Sequence, residues 1–390
     1  MDSHKEDLFK WKRIIGDAPK SRDSHTSISF LDQLLLFGGS SNSKSYSDLY
    51  KFSITNKIWT KLEPIADKGH EPSPREGHIA TLVDGDKMLV HGGINDNQDC
   101  FNDAFILVGL HKEIDQAQSE IRFDEKGKIS NQTELKIRQG KLQMLRWFKC
   151  EQQGDVPTAR DSHSVAVVNS QIFMFGGQDL NENLLNDLYK VNLSQSLVKK
   201  VLTKSTGETI DFLDREFTLT WKHMSLNVTP DVPWPIKRSS HSMNVFEDRF
   251  LVLIGGETSN DDVLNGQAPK HKKQAPSGEQ QHTSQEDSDM EPANKPLNDI
   301  WVYDVVLNKW KEITTTVKVQ TSFNSKKMRK IFEPRMAHSS NVYEQYIVVF
   351  GGYNSQNNQY SPNNICILSL SGCTDFILSK PCTYRMMLAK

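Results

Sequence analysis

The sequence predicts an all-β protein assembled from one repeated module, and three recurring features support this prediction. The dipeptide Gly-Gly ends five short apolar runs, at Gly38-Gly39, Gly92-Gly93, Gly176-Gly177, Gly255-Gly256 and Gly351-Gly352. A histidine stands thirteen or fourteen residues before each first glycine, at His25, His78, His163, His241 and His338. An arginine stands three residues before each histidine, at Arg22, Arg75, Arg160, Arg238 and Arg335. Spacing that recurs in this way indicates a repeat architecture.

The first two strands of each module follow its Arg-x-x-His motif. In the third repeat the histidine leads into Val165-Ala166-Val167-Val168, whose β-branched character is typical of a short strand. After a polar turn, the run Ile172-Phe173-Met174-Phe175 predicts a second strand that is buried on both faces. The glycines end that strand, because they allow positive φ or a close backbone approach that a side chain would block.

Aromatic residues mark the third and fourth strands. An Asn or Asp and then an aromatic residue begin the third strand in four repeats, at Tyr50, Phe105, Tyr189 and Trp301, whereas the fifth repeat has Cys366. A tryptophan begins the fourth strand in the same four repeats, at Trp59, Trp147, Trp221 and Trp310. We expect these side chains to pack between sheets, where burying each contributes about 2–3 kcal/mol. Replacing Trp59 with alanine should therefore destabilise the fold.

The fifth repeat lacks a tryptophan of its own, but the chain opens with Phe9-Lys10-Trp11-Lys12-Arg13-Ile14. We predict that this N-terminal segment, with Trp11, supplies the fourth strand of the last sheet and closes a ring. Closure removes the exposed strand edges that promote aggregation.

The order of these features resembles the kelch repeat, the four-stranded blade of a β-propeller. The resemblance extends over roughly residues 9–370. Within the family, the sequence is similar to kelch proteins that consist of little but the propeller. The resemblance implies a propeller with five recognisable blades, and residues 371–390 with the N-terminus leave room for a sixth. Otherwise residues 371–390 are a C-terminal tail.

Four segments interrupt the module, at residues 111–145, 194–217, 258–296 and 315–331. The first two are predicted to be helical or hairpin excursions that enlarge blades two and three. Residues 258–296 contain no aromatic residue and are rich in Pro, Ser, Gln, Lys and Asp, so they are predicted to be disordered. Residues 315–331 carry several lysines and an arginine, which is typical of a solvated loop or of a site for an acidic partner.

Composition excludes several classes of protein. The 390 residues carry a formal net charge of −2, which argues against a general nucleic-acid binder. No apolar stretch is long enough to cross a bilayer, and the polar N-terminus lacks a hydrophobic signal core. The cysteines are odd in number and lack metal-site spacing, so we expect a reducing, cytoplasmic setting.

The histidines that a propeller would bring around one axis could suggest a metal site. We expect a structural role instead, because blade geometry explains their spacing and each has an arginine neighbour that would repel a cation. The arginine and histidine of each repeat are predicted to donate hydrogen bonds to carbonyls between blades. No His-x-His, Gly-x-Ser-x-Gly or phosphate-loop motif occurs, so we expect no metal, no cofactor and no enzymatic activity.

A protein-interaction scaffold is the function that these observations favour, because a rigid ring with loops of varying length is a common way to build a binding site. The partner is expected to be a cytoskeletal, ciliary or signalling protein, and the chain to be a monomer or part of a larger complex. The predicted contact surface is formed by the loops after Gly-Gly and before Arg-x-x-His. Its exposed candidates are Asn95, Asp96, Gln178, Asp179, Trp234, Lys237, Tyr353 and Asn354.

Two alternative functions remain open at this stage. One is a substrate receptor of a cullin-type ubiquitin ligase, because Ser369–Leu378 resembles the leucine-rich box by which some kelch receptors dock to elongin-cullin ligases. Leu370 would be the leucine of that box. The other is an enzyme with a site in the central channel.

Overall fold

In a computed structural model of the chain, the structure describes residues 18–110, 145–203, 209–225, 232–260, 294–313, 332–355, 359–360, 366–370 and 386–388. These residues form five β-sheets that follow one another along the chain. The innermost strands of consecutive sheets lie side by side, as the blades of a propeller do. The predicted all-β propeller with five blades is therefore confirmed.

The first two blades each contain four antiparallel strands. Blade one consists of β1 (Thr26–Phe30), β2 (Gln33–Phe37), β5 (Leu49–Ser53) and β6 (Ile58–Leu62), and its loop holds the short ladder of β3 (Ser40–Ser41) and β4 (Lys44–Ser45). Blade two consists of β7 (Ile79–Val83), β8 (Lys87–His91), β9 (Ala104–Val108) and β10 (Arg146–Lys149).

The other three blades repeat this plan with local additions. Blade three contains β11 (Glu151–Gly154), β12 (Ser164–Val168), β13 (Gln171–Gln178), β14 (Leu184–Thr203) and β15 (Thr209–His223). Blade four contains β16 (Ser242–Phe246), β17 (Phe250–Ile254), β18 (Glu257–Ser259), β19 (Asn294–Pro296), β20 (Ile300–Asp304) and β21 (Lys309–Ile313). Blade five contains β22 (Ser339–Tyr343), β23 (Tyr346–Phe350), β24 (Tyr353–Asn354), β25 (Gln359–Tyr360), β26 (Cys366–Ser369) and β27 (Met386–Leu388).

The hydrophobic core lies in layers between consecutive blades. Blades one and two enclose one layer, in which Phe37 of β2 meets Trp147 of β10 with ring centroids 5.5 Å apart. Similar layers join blades two and three, three and four, and four and five. The second strands of blades two, three and four are buried on both faces, as their apolar runs predict, because each is covered by the sheets on its two sides. In β23 of blade five burial alternates along the strand and Phe350 is exposed, so the prediction does not hold there.

The tryptophans stand in fourth strands, as predicted, but they are not equivalent. Trp147, Trp221 and Trp310 are buried against the preceding blade. Trp59 is only partly buried and packs on Phe52 of its own blade, with ring centroids 5.0 Å apart. The prediction that Trp59 lies inside therefore holds only in part, because blade one begins the described array and no described blade precedes it.

The closing strand differs from the prediction. β27 (Met386–Leu388) pairs with β26 and takes the fourth position of blade five. The prediction that the N-terminal strand fills this position is therefore wrong, and Trp11 lies outside the described residues. The prediction that residues 371–390 form a tail separate from the propeller is wrong for the same three residues.

The interrupting segments divide into described and undescribed parts. Residues 111–144 and 314–331 lie outside the described residues, and so do residues 261–293 of the predicted disordered segment. The ends of that segment are ordered, because Thr258 and Ser259 pair with Lys295 and Asn294.

The described parts of the segment 194–217, residues 194–203 and 209–217, form a β-ribbon, in which β14 and β15 continue beyond the blade as far as the pair Thr203 and Thr209. Arg146 of blade two anchors the ribbon. Its guanidinium donates to Asp214 of β15 at 2.8 Å and to Asp67, in the loop after blade one, at 2.9 Å. Asp214 is buried, so this ion pair fixes the ribbon against blade two.

Candidate functional site

The arginine of each Arg-x-x-His motif joins two loops of its own blade. Arg75 donates to the carbonyl of Gly92 at 2.9 Å and to Asp103 of the third-strand motif at 2.7 Å. Equivalent ion pairs join Arg22 to Asp48, Arg160 to Asp187 and Arg238 to Asp299. Arg335 donates to the carbonyl of Gly351 in the same way. A carbonyl acceptor agrees with the prediction for arginine, but the carbonyl belongs to the arginine's own blade and does not join two blades, and the aspartate partners were not predicted.

Burial of these ion pairs affects the carboxylates. Burial alone would raise the pKa of Asp299, but the adjacent Arg238 charge and its hydrogen bonds outweigh that effect and lower the pKa. Asp299 is therefore ionised when it meets Arg238, whose side chain is fully buried. A charged pair of this kind holds the loop after Gly255-Gly256 in one position.

The histidines join one blade to the preceding blade. Nε2 of His78 is hydrogen-bonded to Thr26 Oγ1 at 2.8 Å, and the equivalent contacts of His241 and His338 are to Ser164 and Ser242. His78, His241 and His338 also interact with backbone groups of Phe37, Phe175 and Arg335, so a backbone partner is present as predicted, whereas the side-chain partner was not predicted. That side-chain partner is a hydroxyl on the residue that follows the histidine of the preceding blade.

The histidine contact between blades two and three has a different partner. The motif of blade two is followed by Ile79, which has no hydroxyl, and the side chain of His91 takes the hydroxyl's place. His91 Nδ1 lies 3.1 Å from His163 Nε2. Burial, together with the charges of nearby arginines, lowers the pKa of His78 and of His91 to about 3, so these rings are neutral.

The Gly-Gly dipeptide contacts the Arg-x-x-His motif of the next blade. A Cβ on Gly92 would lie 2.6 Å from the carbonyl oxygen of Arg160 and 2.7 Å from Cε1 of His163. The next residue, Gly93, donates its N–H to the same Arg160 carbonyl at 2.9 Å. The first glycine therefore leaves space for the histidine of the following blade, and the second binds its backbone.

A series of backbone hydrogen bonds links the five blades in order near the propeller axis. It runs through the residue that precedes each motif histidine. Gly77 N–H donates to Ser24, Ser162 to Gly77, Ser240 to Ser162 and Ala337 to Ser240, at 2.7–3.0 Å. All five residues have positive φ and small side chains. This series forms a narrow inner wall, on which the residue after each arginine is placed.

We define the axial mouth as the residues after each motif arginine and after each Gly-Gly. Within each blade the two are joined by a β-bridge, and the pairs are Asp23 with Ser40, Glu76 with Ile94, Asp161 with Gln178, Ser239 with Glu257, and Met336 with Tyr353. Four blades therefore contribute one carboxylate each. Blade five contributes a methionine and a tyrosine instead.

The carboxylates of the axial mouth influence one another. Burial raises the pKa of Asp161, and the nearby charge of Glu76 raises it further, against hydrogen bonds from Ser162 and Gln178 that lower it. Burial likewise raises the pKa of Glu257, with a further contribution from the charge of Asp161. The mouth is thus a region of negative potential.

The eight predicted contact residues all lie in the loops on this face. Gln178 and Tyr353 belong to the axial mouth itself, and Asn95, Asp96, Asp179, Asn354 and Lys237 lie in the loops around it. Trp234 differs, because its Nε1 donates to the carbonyl of Asn186 at 2.7 Å and its ring packs on Trp310. It supports the loop before Arg238. The prediction that all eight residues are exposed holds for Asp96 and Lys237, whereas the other six, Trp234 among them, are only partly exposed. Their role in binding stays a prediction.

The carboxylates of the axial mouth were not among the predicted residues. The signal was present in the sequence, since Asp23, Glu76 and Asp161 all follow a motif arginine and Glu257 follows a Gly-Gly. In three of the five repeats the residue after the motif arginine is acidic.

Three further sequence expectations concern metals, membranes and the leucine-rich box. In the part of the chain that the structure describes, no group of three or more His, Cys, Asp or Glu side chains is placed to hold a metal ion. The same residues include no helix that has both the length and the apolar character to cross a membrane. Leu370 is buried in the core between blades four and five, and residues 371–378 of the box lie outside the described ranges.

Comparison with known proteins gives the same assignment as the geometry. The chain is similar to human Kelch domain-containing protein 1, with 24% identity over 97% of this chain and 71% of that protein. It is also similar to Acyl-CoA-binding domain-containing protein 5 of Arabidopsis thaliana, at 24% identity over 63% of this chain. A third relative, the F-box/kelch-repeat protein At1g51550 of Arabidopsis thaliana, is 25% identical over 51% of this chain.

The matched region is only part of the plant relatives, covering 29% of the first and 37% of the second. A family model described as the KLHDC2/KLHL20/DRC7 Kelch-repeats domain matches residues 2–118 and 124–328, which is most of the chain. With its blade geometry, its Gly-Gly junctions and this match, the chain belongs to the kelch-repeat family.

Proposed function

We propose that this protein is a non-catalytic interaction scaffold, and that a protein partner binds at the axial mouth and the loops around it. One observation carries the proposal. The motif arginine donates to the carbonyl of the first glycine of Gly-Gly in all five blades. The residue after that arginine, at the mouth, changes from Asp23, Glu76 and Asp161 to Ser239 and Met336. The frame is therefore constant, and the surface that it presents varies.

The relatives support a recognition role for this fold. The names of two plant relatives show other modules beside the matched region, an acyl-CoA-binding domain in one protein and an F-box in the other. A module that occurs beside unrelated domains is suited to choosing a partner. Because fold alone does not define function, the proposal depends on the mouth and not on the family.

The partner is proposed to be a cytoskeletal, ciliary or signalling protein of the cytoplasm. Proximity labelling in the native cell, with the full chain as bait, identifies its neighbours. The informative variant is Met336→Ala with Tyr353→Ala, which removes the two side chains that blade five contributes to the axial mouth. Its matched control is Tyr343→Ala, because Tyr343 is a highly exposed aromatic residue of the same blade at the opposite end of β22.

We expect the mouth variant to lose the proteins that the wild-type chain labels and the Tyr343 variant to keep them. Equal labelling by all three chains would contradict a partner site at the mouth. Loss with both variants would place the partner on blade five as a whole and not on this face. Circular dichroism of the purified chains confirms that both variants fold.

A further inference from the structure

We infer that the axial mouth binds a basic segment of the partner, with a lysine or arginine side chain held at Glu76 between Asp23 and Asp161. This inference depends on the proposed function and gives the partner its chemistry. It comes from three consecutive blades, which place their carboxylates on the same side of the mouth.

Glu76 is the central group of the three. Its carboxylate accepts a hydrogen bond from Ser40 Oγ of blade one, and the same hydroxyl lies 3.5 Å from Asp23 Oδ1. Asp161 of blade three lies on the other side of Glu76, because a Cβ on the adjacent Gly77 would be 3.3 Å from Asp161 Oδ1. The three carboxylates thus form a continuous acidic line across two blade junctions.

A buried hydroxyl beneath this line has no partner. Ser45 of β4 stands directly opposite Ser40 in the short ladder, so the two side chains are on the same side of it. The side chain of Ser40 on that face contacts Asp23 and Glu76. Ser45 is 4% exposed, and its Oγ has no hydrogen-bonding partner among the described residues. Buried polar groups are usually hydrogen-bonded. Nine such atoms lack a partner among the described residues, and the Ser45 hydroxyl is the one on the same ladder face as the residue that is bound to Glu76.

The protein's own cations do not neutralise the line. The neighbouring arginines Arg22, Arg75 and Arg160 are bound to Asp48, Asp103 and Asp187. In the described ranges no lysine or arginine forms an ion pair with the three mouth carboxylates. The raised pKa of Asp161 agrees with an excess of negative charge.

A peptide cation fits the two accessible carboxylates of this line, because Asp23 is exposed and Glu76 is partly exposed. Asp161 is buried and already accepts hydrogen bonds from Ser162 and Gln178, so it contributes its charge. An arginine donates a planar fork that matches a carboxylate, and a lysine donates up to three hydrogen bonds. Further acidic side chains lie on the loops outside the mouth, at Asp96, Asp99, Asp179 and Glu182. A segment with several basic residues would therefore be attracted along its length, and not at one point.

The test is the binding of a fluorescein-labelled Gly/Ser peptide with interspersed arginines to the full chain, measured by fluorescence anisotropy. The control peptide carries glutamates at the arginine positions. The variant is Glu76→Gln with Asp161→Asn, and its matched control is Asp32→Asn with Glu344→Gln. Asp32 and Glu344 are exposed carboxylates in the turns at the opposite end of blades one and five.

We expect the arginine peptide to bind more tightly than the glutamate peptide, and its affinity to fall with added salt because screening weakens exposed charge pairs. The mouth variant should lose about tenfold or more in affinity, since hydrogen bonds to charged groups are the strong ones. The control variant should bind like the wild type. Equal binding of the two peptides, or unchanged binding by the mouth variant, would overturn the inference.

The two proposals fail in different ways. If the cellular partner is lost with Met336→Ala and Tyr353→Ala but kept with Glu76→Gln and Asp161→Asn, the scaffold function stands and the basic-segment inference falls. If the arginine peptide binds at the mouth but neither pair of substitutions changes the proteins labelled in cells, the scaffold function falls instead.

Discussion

The junctions between blades and the axial mouth are one residue apart in the sequence, yet they follow opposite rules. Arg75 is fully buried, and its guanidinium is held by Asp103 and by the Gly92 carbonyl. Glu76, the next residue, is partly exposed and shares its surroundings with two other carboxylates. In a repeat protein the positions that join blades must stay alike, whereas the adjacent positions are free to carry function.

The largest expected effect is at the junction. Arg238→Ala would leave Asp299 without its cation and the Gly255 carbonyl without a donor. Removing one partner of a buried ion pair lowers the free energy of unfolding by about 3–5 kcal/mol. Urea denaturation followed by tryptophan fluorescence measures this change.

Arg249→Ala is the matched control for Arg238→Ala. Arg249 pairs with Asp304 in the same blade, but its side chain is exposed. Its removal should lower the urea midpoint much less than Arg238→Ala does. Equal effects of the two substitutions would mean that the junction arginine is not a special support of the fold.

An intermediate effect is expected from acid. Burial lowers the pKa of the junction histidines His78, His91 and His338 to about 3, 3 and 4, from an ordinary value of 6.5. A group whose pKa is lower in the folded state takes up its proton mainly on unfolding. Stability should therefore be full above about pH 6.5 and fall as the pH drops toward 4, by up to about 1.4 kcal/mol per histidine and pH unit.

Urea midpoints between pH 7.5 and pH 4.5 test this dependence. The mouth carboxylates Asp161 and Glu257 act in the opposite direction, because their pKa is raised and protonation favours the folded state. His338→Gln should make the acid dependence shallower. An unchanged dependence in that variant would show that His338 is not buried and neutral at its junction.

The smallest expected effect is at the mouth. Asp161→Asn removes a carboxylate that is buried beside another negative charge, and an amide can still hydrogen-bond to Ser162 and Gln178. We expect the melting temperature to stay within a few degrees of the wild-type value or to rise slightly. A large decrease would place Asp161 with the junction residues and would remove the distinction between the two regions.

The sequence predicts the blades well because the features that build them are local. An apolar run, two glycines and a tryptophan recur at spacings that the size of a four-stranded sheet imposes. β27 was missed because Met386–Leu388 lacks any of those features. Only pairing with Cys366–Ser369 makes it a strand, and such pairing depends on the tertiary fold.

The site was less predictable, because its contacts join residues that are far apart in sequence. The bond between His78 and Thr26 connects two blades, so neither repeat alone reveals it. Comparison of repeats does show the hydroxyl at Thr26, Ser164 and Ser242, and its absence at Ile79. That His91 replaces it could be found only from the stacking of blades two and three. The mouth carboxylates were missed because they stand at positions that differ from repeat to repeat, whereas the prediction used the positions that are the same in every repeat.

Arg146 has a mechanical consequence. It grips Asp67 beyond blade one and Asp214 on the long ribbon of blade three, while its own backbone belongs to blade two. A force on the ribbon is therefore transmitted to three sheets together. A partner bound to that ribbon would move with the first three blades together and not with one blade.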